Sequence, residues 1–285
     1  MFSPMMDAKS IVRRFSDTKT LPHVALRAAR LVNEERATMH DFEEVIKLDP
    51  VLVARLLRLV NSPYFGLARK VESISKAVVF CGVKQLRNLV AVEALRSMFK
   101  GEDRRFSREQ LWLHSATVAI LAEMIAKRIF GLAGDEAFLA GIIHDVGLVA
   151  EDQVAGEELR LAADDLRLGK GSLIECERGR LGTDHCEVGL LLAQEWKLPT
   201  EVLKAIQFHH DPEKKFAIPS LSAIIVLADF MASKMQHNPV PGAPVPALPP
   251  SLARHVKGMM VNYKIIVRDL PAEMAKAREL YHSDG

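Results

Sequence analysis

The 285-residue sequence is poor in cysteine: three thiols, Cys81, Cys176 and Cys186, stand far apart with no CxxC pair. That rules against a disulfide framework or a thiolate zinc site and fits a reducing cytoplasm. Aromatic residues make up only 6% of the chain. Net charge is also scarce, since 38 Lys and Arg face 36 Asp and Glu for a formal +2. So balanced a chain is not built to grip nucleic acid or anionic lipid electrostatically. No window approaches about 18 uninterrupted apolar residues, so no membrane-spanning helix is expected. Met1–Phe15 carries Asp7, Lys9, Arg13 and Arg14 and does not read as a secretory signal. There is no hairpin signal, and no phosphate-cradling loop of the GxxxxGK type.

What the chain has in quantity is helical periodicity. Its 49% hydrophobic content recurs three and four residues apart, as in Val24, Ala28, Leu31 and Val32, which predicts an all-α fold with a core large enough to need no staples. The spacing predicts helices over 21–35, 41–48, 50–60, 73–81, 83–99, 107–130, 135–145, 157–169, 172–180, 184–196, 199–210 and 220–236. Asp49-Pro50 starts one helix and Asn61-Ser62-Pro63 stops it, while Ser107 with Gln110 and Ser172 with Glu175 have capping-box spacing. Gly66 and Gly82 read as turn or helix-end positions.

A charged break at Lys100–Arg105 and six prolines between Asn238 and Pro250 divide the chain into an N-terminal helical subdomain (1–105), a second helical subdomain (106–236), an extended linker (237–250) and a tail (251–285) with room for two short helices. The tail sets Arg254, His255 and Lys257 against Met259 and Met260, which suits a packed terminus, a partner-binding helix or a homodimer contact. In the first subdomain, Leu86, Leu89, Val90, Val92 and Leu95 suit core more than docking. Arg27, Arg30, Arg55, Arg58, Arg69, Lys70, Lys84 and Arg87 concentrate positive charge, but few aromatics interleave with them, so nucleic-acid readout is not expected.

Ten histidines are the unbalanced number. His114, His144, His185, His209 and His210 keep company with Asp145 and Asp229 in or at the ends of predicted helices, whereas His23, His40, His237, His255 and His282 do not. Any one histidine in a helix is more often a surface or hydrogen-bonded core residue than a ligand. The joint set of imidazoles and carboxylates, without thiolates, suits divalent iron, manganese or zinc. Seven such groups would fill most of two ligand shells if one carboxylate bridges, and Asp145, adjoining a histidine, is the natural bridge.

The run Phe138-Leu-Ala-Gly-Ile-Ile-His144-Asp145-Val-Gly147 resembles the signature of the HD superfamily of metal-dependent phosphohydrolases, and Leu111-Trp-Leu-His114-Ser115 resembles its first-histidine helix. Leu181–Gly189 with His185, Trp196–Pro199, Ile206–His210 and Leu227–Asp229 continue that order. Upstream, Leu21-Pro22, Asp49-Pro50, Leu56–Ser62 with Tyr64 and Gly66, and Ile74–Val78 with Gly82 resemble the HDOD domain, the HD-related output domain of bacterial signalling proteins. The resemblance spans about residues 20–235. It implies a multi-helix bundle and a dinuclear centre, with His114, His144, Asp145 and Asp229 on one metal and Asp145, His185, His209 and His210 on the other.

Departures matter as much. Leu148 stands where the cyclic-dinucleotide-cleaving branch places a phosphate-binding lysine, and Asp211–Phe216 lacks that branch's Gly-Tyr-Pro motif. Two metals would lower the pKa of a bound water from about 15.7 to near 7, and that water, held at Asp145, would carry any hydrolysis. The phosphate's developing charge also needs cationic or amide donors, and the positional candidates, Lys204, Lys214 and Lys215, read more readily as solvated helix faces. The expectation is therefore a cytoplasmic signal-transduction module with a metal-binding HD site and a signalling-protein partner, without cyclic-dinucleotide cleavage. The alternative is an active phosphohydrolase on an unidentified phosphoester.

Overall fold

The computed structural model describes residues 6–18, 53, 57, 60–61, 70–81, 107–211 and 214–281. The helices predicted over 21–35, 41–48 and 83–99, the apolar run Leu86–Leu95, the basic residues Arg27 to Arg69 with Lys84 and Arg87, and the turns at Gly66 and Gly82 lie outside the described residues. Lys70 is exposed.

Among the described residues every regular element is an α-helix: α1 (Ala8–Thr18), α2 (Ile74–Cys81), α3 (Arg108–Arg128), α4 (Asp135–Ile143), α5 (Val146–Arg167), α6 (Leu173–Leu181), α7 (His185–Glu195), α8 (Thr200–Phe208), α9 (Leu221–Lys234), α10 (Pro250–Gly258) and α11 (Met260–Tyr281). The backbone is also helical at Val53, Leu57 and Val60. Asn61 ends that helix as predicted: its Nδ2 donates to the Leu57 and Val71 carbonyls, and its Oδ1 accepts from the Val71 N–H at 2.6 Å.

Helix α3 is the axis of the bundle. Leu111, Val118, Ala119, Leu121, Ala122 and Ile125 are fully shielded, and the helix packs against α4, α9 and α11. Helix α5 carries a second layer, contacting α6, α7 and α1, and α8 closes the gap between α7 and α9. The starts follow capping chemistry. Ser107, Asp184 and Ser220 each accept a backbone N–H three residues on, and Ser172 with Glu175 forms the complete capping box. At Ser107 only half of the box forms, because the Gln110 amide turns away to the Asn238 carbonyl, 3.0 Å distant.

Three stretches depart from the periodicity. Helix α5 begins at Val146, eleven residues before the predicted start, and bends at Ala155 (φ −139°, ψ 42°). Val146 to Glu151 are all buried, and a helix covered on every side has no amphipathic period to read. Helix α1, which the periodicity leaves unassigned, plants Ala8, Ile11, Val12 and Phe15 in the core. In the tail, α11 is 22 residues long rather than short, and it lays Tyr263, Ile266, Leu270 and Met274 inward beside α3.

The proline-rich stretch has no helix before Pro250, as its missing donors require. It is nonetheless fastened to the bundle: Val240 is fully buried, and the Pro241 carbonyl accepts from Arg167 Nε at 3.1 Å.

Candidate metal centre

The seven His and Asp residues come from four helix ends and two helix interiors. His114 sits inside α3 and Asp229 inside α9. His144 caps the end of α4 and Asp145 the start of α5, so they form the joint between two helices rather than the end of one, as predicted. His185 opens α7, and His209 ends α8 with His210 just beyond it. Helix ends suit this use because their side chains are not committed to a helical stripe, so neighbouring residues can face one point from different directions.

Two glycines let these ends meet. Gly182, at φ 92°, takes the left-handed conformation that ends α6 and turns the chain toward His185. Gly147 lies flat against His185: an added Cβ would run into the His185 carbonyl oxygen and sit 2.7 Å from its C and Cα atoms. Both sides of that contact are backbone, so neither yields. Gly147→Ala is therefore expected to cost about 1–3 kcal/mol at least. Urea unfolding beside Gly179→Ala, where a Cβ meets nothing within 4 Å, checks this; equal midpoints would disprove the close approach.

The seven side chains form two groups: Asp145, His185, His209 and His210, and His114, His144 and Asp229. Within each group one ligand atom per residue lies within 4.8 Å of every other, about the span of donors placed 2.0–2.2 Å around a common ion. Asp145, buried to 1% exposure, stands between them. Its Oδ2 is 3.2 Å from His114 Nε2 and 3.3 Å from His144 Nε2. Its Oδ1 is 3.2 Å from His209 Nε2 and 3.5 Å from His185 Nε2. Asp229 Oδ1 lies 3.5 Å from His114 Nε2.

The protonation pattern points the same way. Four imidazoles donate through Nδ1: His114 to the His237 carbonyl (2.6 Å), His144 to the Gly141 carbonyl (2.8 Å), His209 to the Ile206 carbonyl (2.8 Å), and His185 to the Glu177 carboxylate (2.8 and 2.9 Å). Each neutral ring then carries a lone pair on Nε2, and those nitrogens converge: His114 on His144 at 3.2 Å, His185 on His209 at 3.4 Å. Lone pairs so close repel unless a proton or a cation lies among them. Asp145 Oδ2 meanwhile accepts no well-formed hydrogen bond in its buried position. This donor set fits divalent metal.

Titration agrees. Burial opposes charge on Asp145, but the surrounding His144, His114 and His209 outweigh it and hold the carboxyl well below its usual range. Burial, then the neighbouring His209 and His185, push His210 well down, leaving it a neutral donor. For His209, burial is outweighed by the Cys186 sulfur and Asp145, and its pKa is pushed up to about 10. Without an ion, a proton occupies the position a metal would take.

The structure also supplies groups that the sequence reading does not single out. Glu177 and Glu151 are both fully buried. Glu177 accepts the His185 Nδ1–H and, at 3.1 Å, the His185 backbone N–H, whereas neither oxygen of Glu151 has a partner. Burial, then the Glu177 carboxylate, push Glu151 well above its usual range. Its folded-state pKa exceeds the unfolded one, so the native state binds the extra proton and loses stability as pH rises above about 4.5. Glu151→Met removes that penalty and two unpaired oxygens at similar volume. It is expected to raise stability by about 1–3 kcal/mol at neutral pH, with a smaller gain at pH 5 than at pH 8. Urea midpoints at both pH values decide, and a gain independent of pH would contradict the raised carboxyl.

Beside His209, His210 and Asp229 opens a cleft of about 1100 Å³, walled also by α6, α7 and residues 238–249. The three lysines that are phosphate candidates by position do not line it. Lys204 pairs with Glu201 at 2.7 Å, Lys214 lies 3.6 Å over the Phe208 ring, and Lys215 is exposed. Among the described lining residues Arg178 is the one Lys or Arg, held through Nε by Asp184 at 2.7 Å, while Glu175, Asp184, Glu187, Asp211 and Asp229 are acidic. Among the described residues no helix is long and apolar enough to cross a membrane.

Comparison with known proteins places this geometry. The HDOD domain family pattern matches residues 19–212. An uncharacterised protein of Treponema pallidum (strain Nichols) is 31% identical over 213 residues, covering 72% of this chain but 40% of its own length. The chain thus spans well under half of that relative. The crystal structure of an HDOD domain protein of unknown function from Geobacter sulfurreducens is 28% identical, covers 95% of this chain and 96% of its own, and superposes with a TM-score of 0.73. A Shewanella amazonensis SB2B structure, provisionally named a phosphohydrolase, is 26% identical with the same coverage and a TM-score of 0.70.

Proposed function

The chain belongs to the HDOD domain family, and from that premise we propose that it is a signal-transduction output module whose His/Asp centre binds two divalent ions without cleaving cyclic dinucleotides. The observation that supports metal binding best is the convergence of four Nε2 atoms on Asp145, each ring oriented through its Nδ1. His114, His144 and Asp229 would hold one ion, His185, His209 and His210 the other, with Asp145 shared. Iron, manganese and zinc all suit this mix of imidazole and carboxylate. When bound, such ions polarise a water or a phosphoryl oxygen. The chain's own residues orient the ligands and keep bulk water from Asp145.

The signalling reading rests on the link between centre and surface. The His237 carbonyl orients His114, and the next residue, Asn238, begins the stretch that walls the cleft and leads into α10 and α11. A change at the first ion would thus be felt by the C-terminal helices, where a signalling partner or a second copy of the chain would read it. A phosphohydrolase is the second reading, favoured by the cleft beside His209, His210 and Asp229 and by the likeness to the Shewanella protein. The acidic lining around a single arginine weighs against polyanionic substrates. Elemental analysis of protein purified without oxygen, run beside a panel of nucleotides and phosphoesters, tests both. About two equivalents of metal with no turnover is expected. Less than one equivalent removes the metal premise, and turnover abolished by Asp145→Ala replaces the first reading with the second.

A further inference from the structure

We infer that Glu177 is the counter-charge and positioning residue for the histidine-rich half of the centre, so that one of the two ions depends on it and the other does not. The inference rests on the metal reading above and assigns a role to a residue that no ligand pattern includes.

The two halves differ in charge. The half built on His114 and His144 has a carboxylate of its own, Asp229, whereas that built on His185, His209 and His210 has three imidazoles, none of them anionic, and only a share of Asp145. A divalent ion there would sit among buried groups with half an anion to balance it, a costly arrangement at low dielectric. Glu177 supplies the missing charge one layer out. Of the four rings oriented through Nδ1, three rest on neutral backbone carbonyls and only His185 rests on a carboxylate.

The attachment is tight. Both Glu177 oxygens lie within 2.9 Å of His185 Nδ1, and one also takes the His185 backbone N–H. Side chain and main chain of the ligand are thus fixed by one group with no exposure to solvent. Of the two buried acids behind the ring, Glu177 has these donors and Glu151 has none, which places the negative charge on Glu177. A carboxylate accepting Nδ1–H fixes the ring so that Nε2 faces the metal, and it raises the basicity of that nitrogen. The capping box of Ser172 and Glu175 and the left-handed Gly182 hold α6 and its turn in place, so the position of Glu177 is set by the fold rather than by the ion.

Cobalt(II) titration of the metal-free 285-residue chain, followed by calorimetry and visible absorption, tests this. Wild type is expected to take two equivalents. Glu177→Gln keeps the size and loses the charge, and should bind one equivalent with unchanged affinity and the second about 10–100-fold more weakly. Glu177→Asp, which keeps the charge, should restore most of the loss, separating charge from packing. Removing one half at a time locates the effect: Glu177→Gln added to His114→Ala should weaken binding of the remaining ion by the same factor of about 10–100, and added to His210→Ala should leave it untouched. Equal affinities for both ions in Glu177→Gln, or equal weakening of both, would overturn the inference. Wild type that takes up less than one equivalent would instead refute metal binding itself, a different and recognisable result.

Discussion

If the centre holds two metal ions as proposed, Asp145→Ala is expected to remove both in one step, with affinity falling at least about 100-fold at each, since even outer partners of metal ligands are worth 10–100-fold. The reason is positional. Asp145 Oδ2 faces His114 and His144 while Oδ1 faces His209 and His185, all at 3.2–3.5 Å. Each of the other six side chains belongs to one half. His114→Ala or His210→Ala should therefore lower the stoichiometry from two to one, and only Asp145→Ala from two to none. Elemental analysis after dialysis reads the difference. If Asp145→Ala retains one tightly held ion, the carboxylate is not shared and the centre divides into two independent sites.

Phe15→Ala is expected to cost about 3–5 kcal/mol, the range for truncating a fully buried aromatic side chain. Phe15 has no exposure, and with Ile11, Val12 and Ala8 it seats α1 on α5 and α7. Those two helices carry Asp145 and His185 at their first turns, so α1 clamps the outer side of the layer from which the centre is built. The Met6 N–H also reaches the Leu181 carbonyl at 2.8 Å, tying the start of α1 to the end of α6. Urea unfolding beside Arg13→Ala, an exposed position on the same helix, gives the comparison. A loss below about 1 kcal/mol would mean that α1 is an appendage.

Much of the centre is legible in the sequence because its ligands are chemically distinctive. Imidazoles and carboxylates in a fixed order, without thiolates, announce their own chemistry, and the seven residues so selected are the ones the fold brings together. Lysines are weaker signals for the same reason: a lysine on a helix face looks alike whether it meets substrate or water, and Lys204 and Lys214 are engaged by Glu201 and Phe208. Glu177 could not be picked out at all. It stands between Cys176 and Arg178 in a short charged helix and looks like a solvated side chain until α5 and α7 cover it.

Periodicity and capping residues determined the all-helical class and the helix starts at Ser107, Ser172, Asp184 and Ser220, because hydrogen bonds to the first turn are local and a three-residue spacing reports them. Tertiary structure decided what lies beyond a turn or two. The early start of α5, invisible because it is buried all round, brings Gly147 against His185 and so sets the distance between Asp145 and its partners. It decided that the proline-rich stretch orients His114 through the His237 carbonyl, since a backbone carbonyl has no residue type to advertise it. Above all, it decided which buried charge stands behind which imidazole, because electrostatic pairing depends on separation in space, and sequence separation reports that only within one helix.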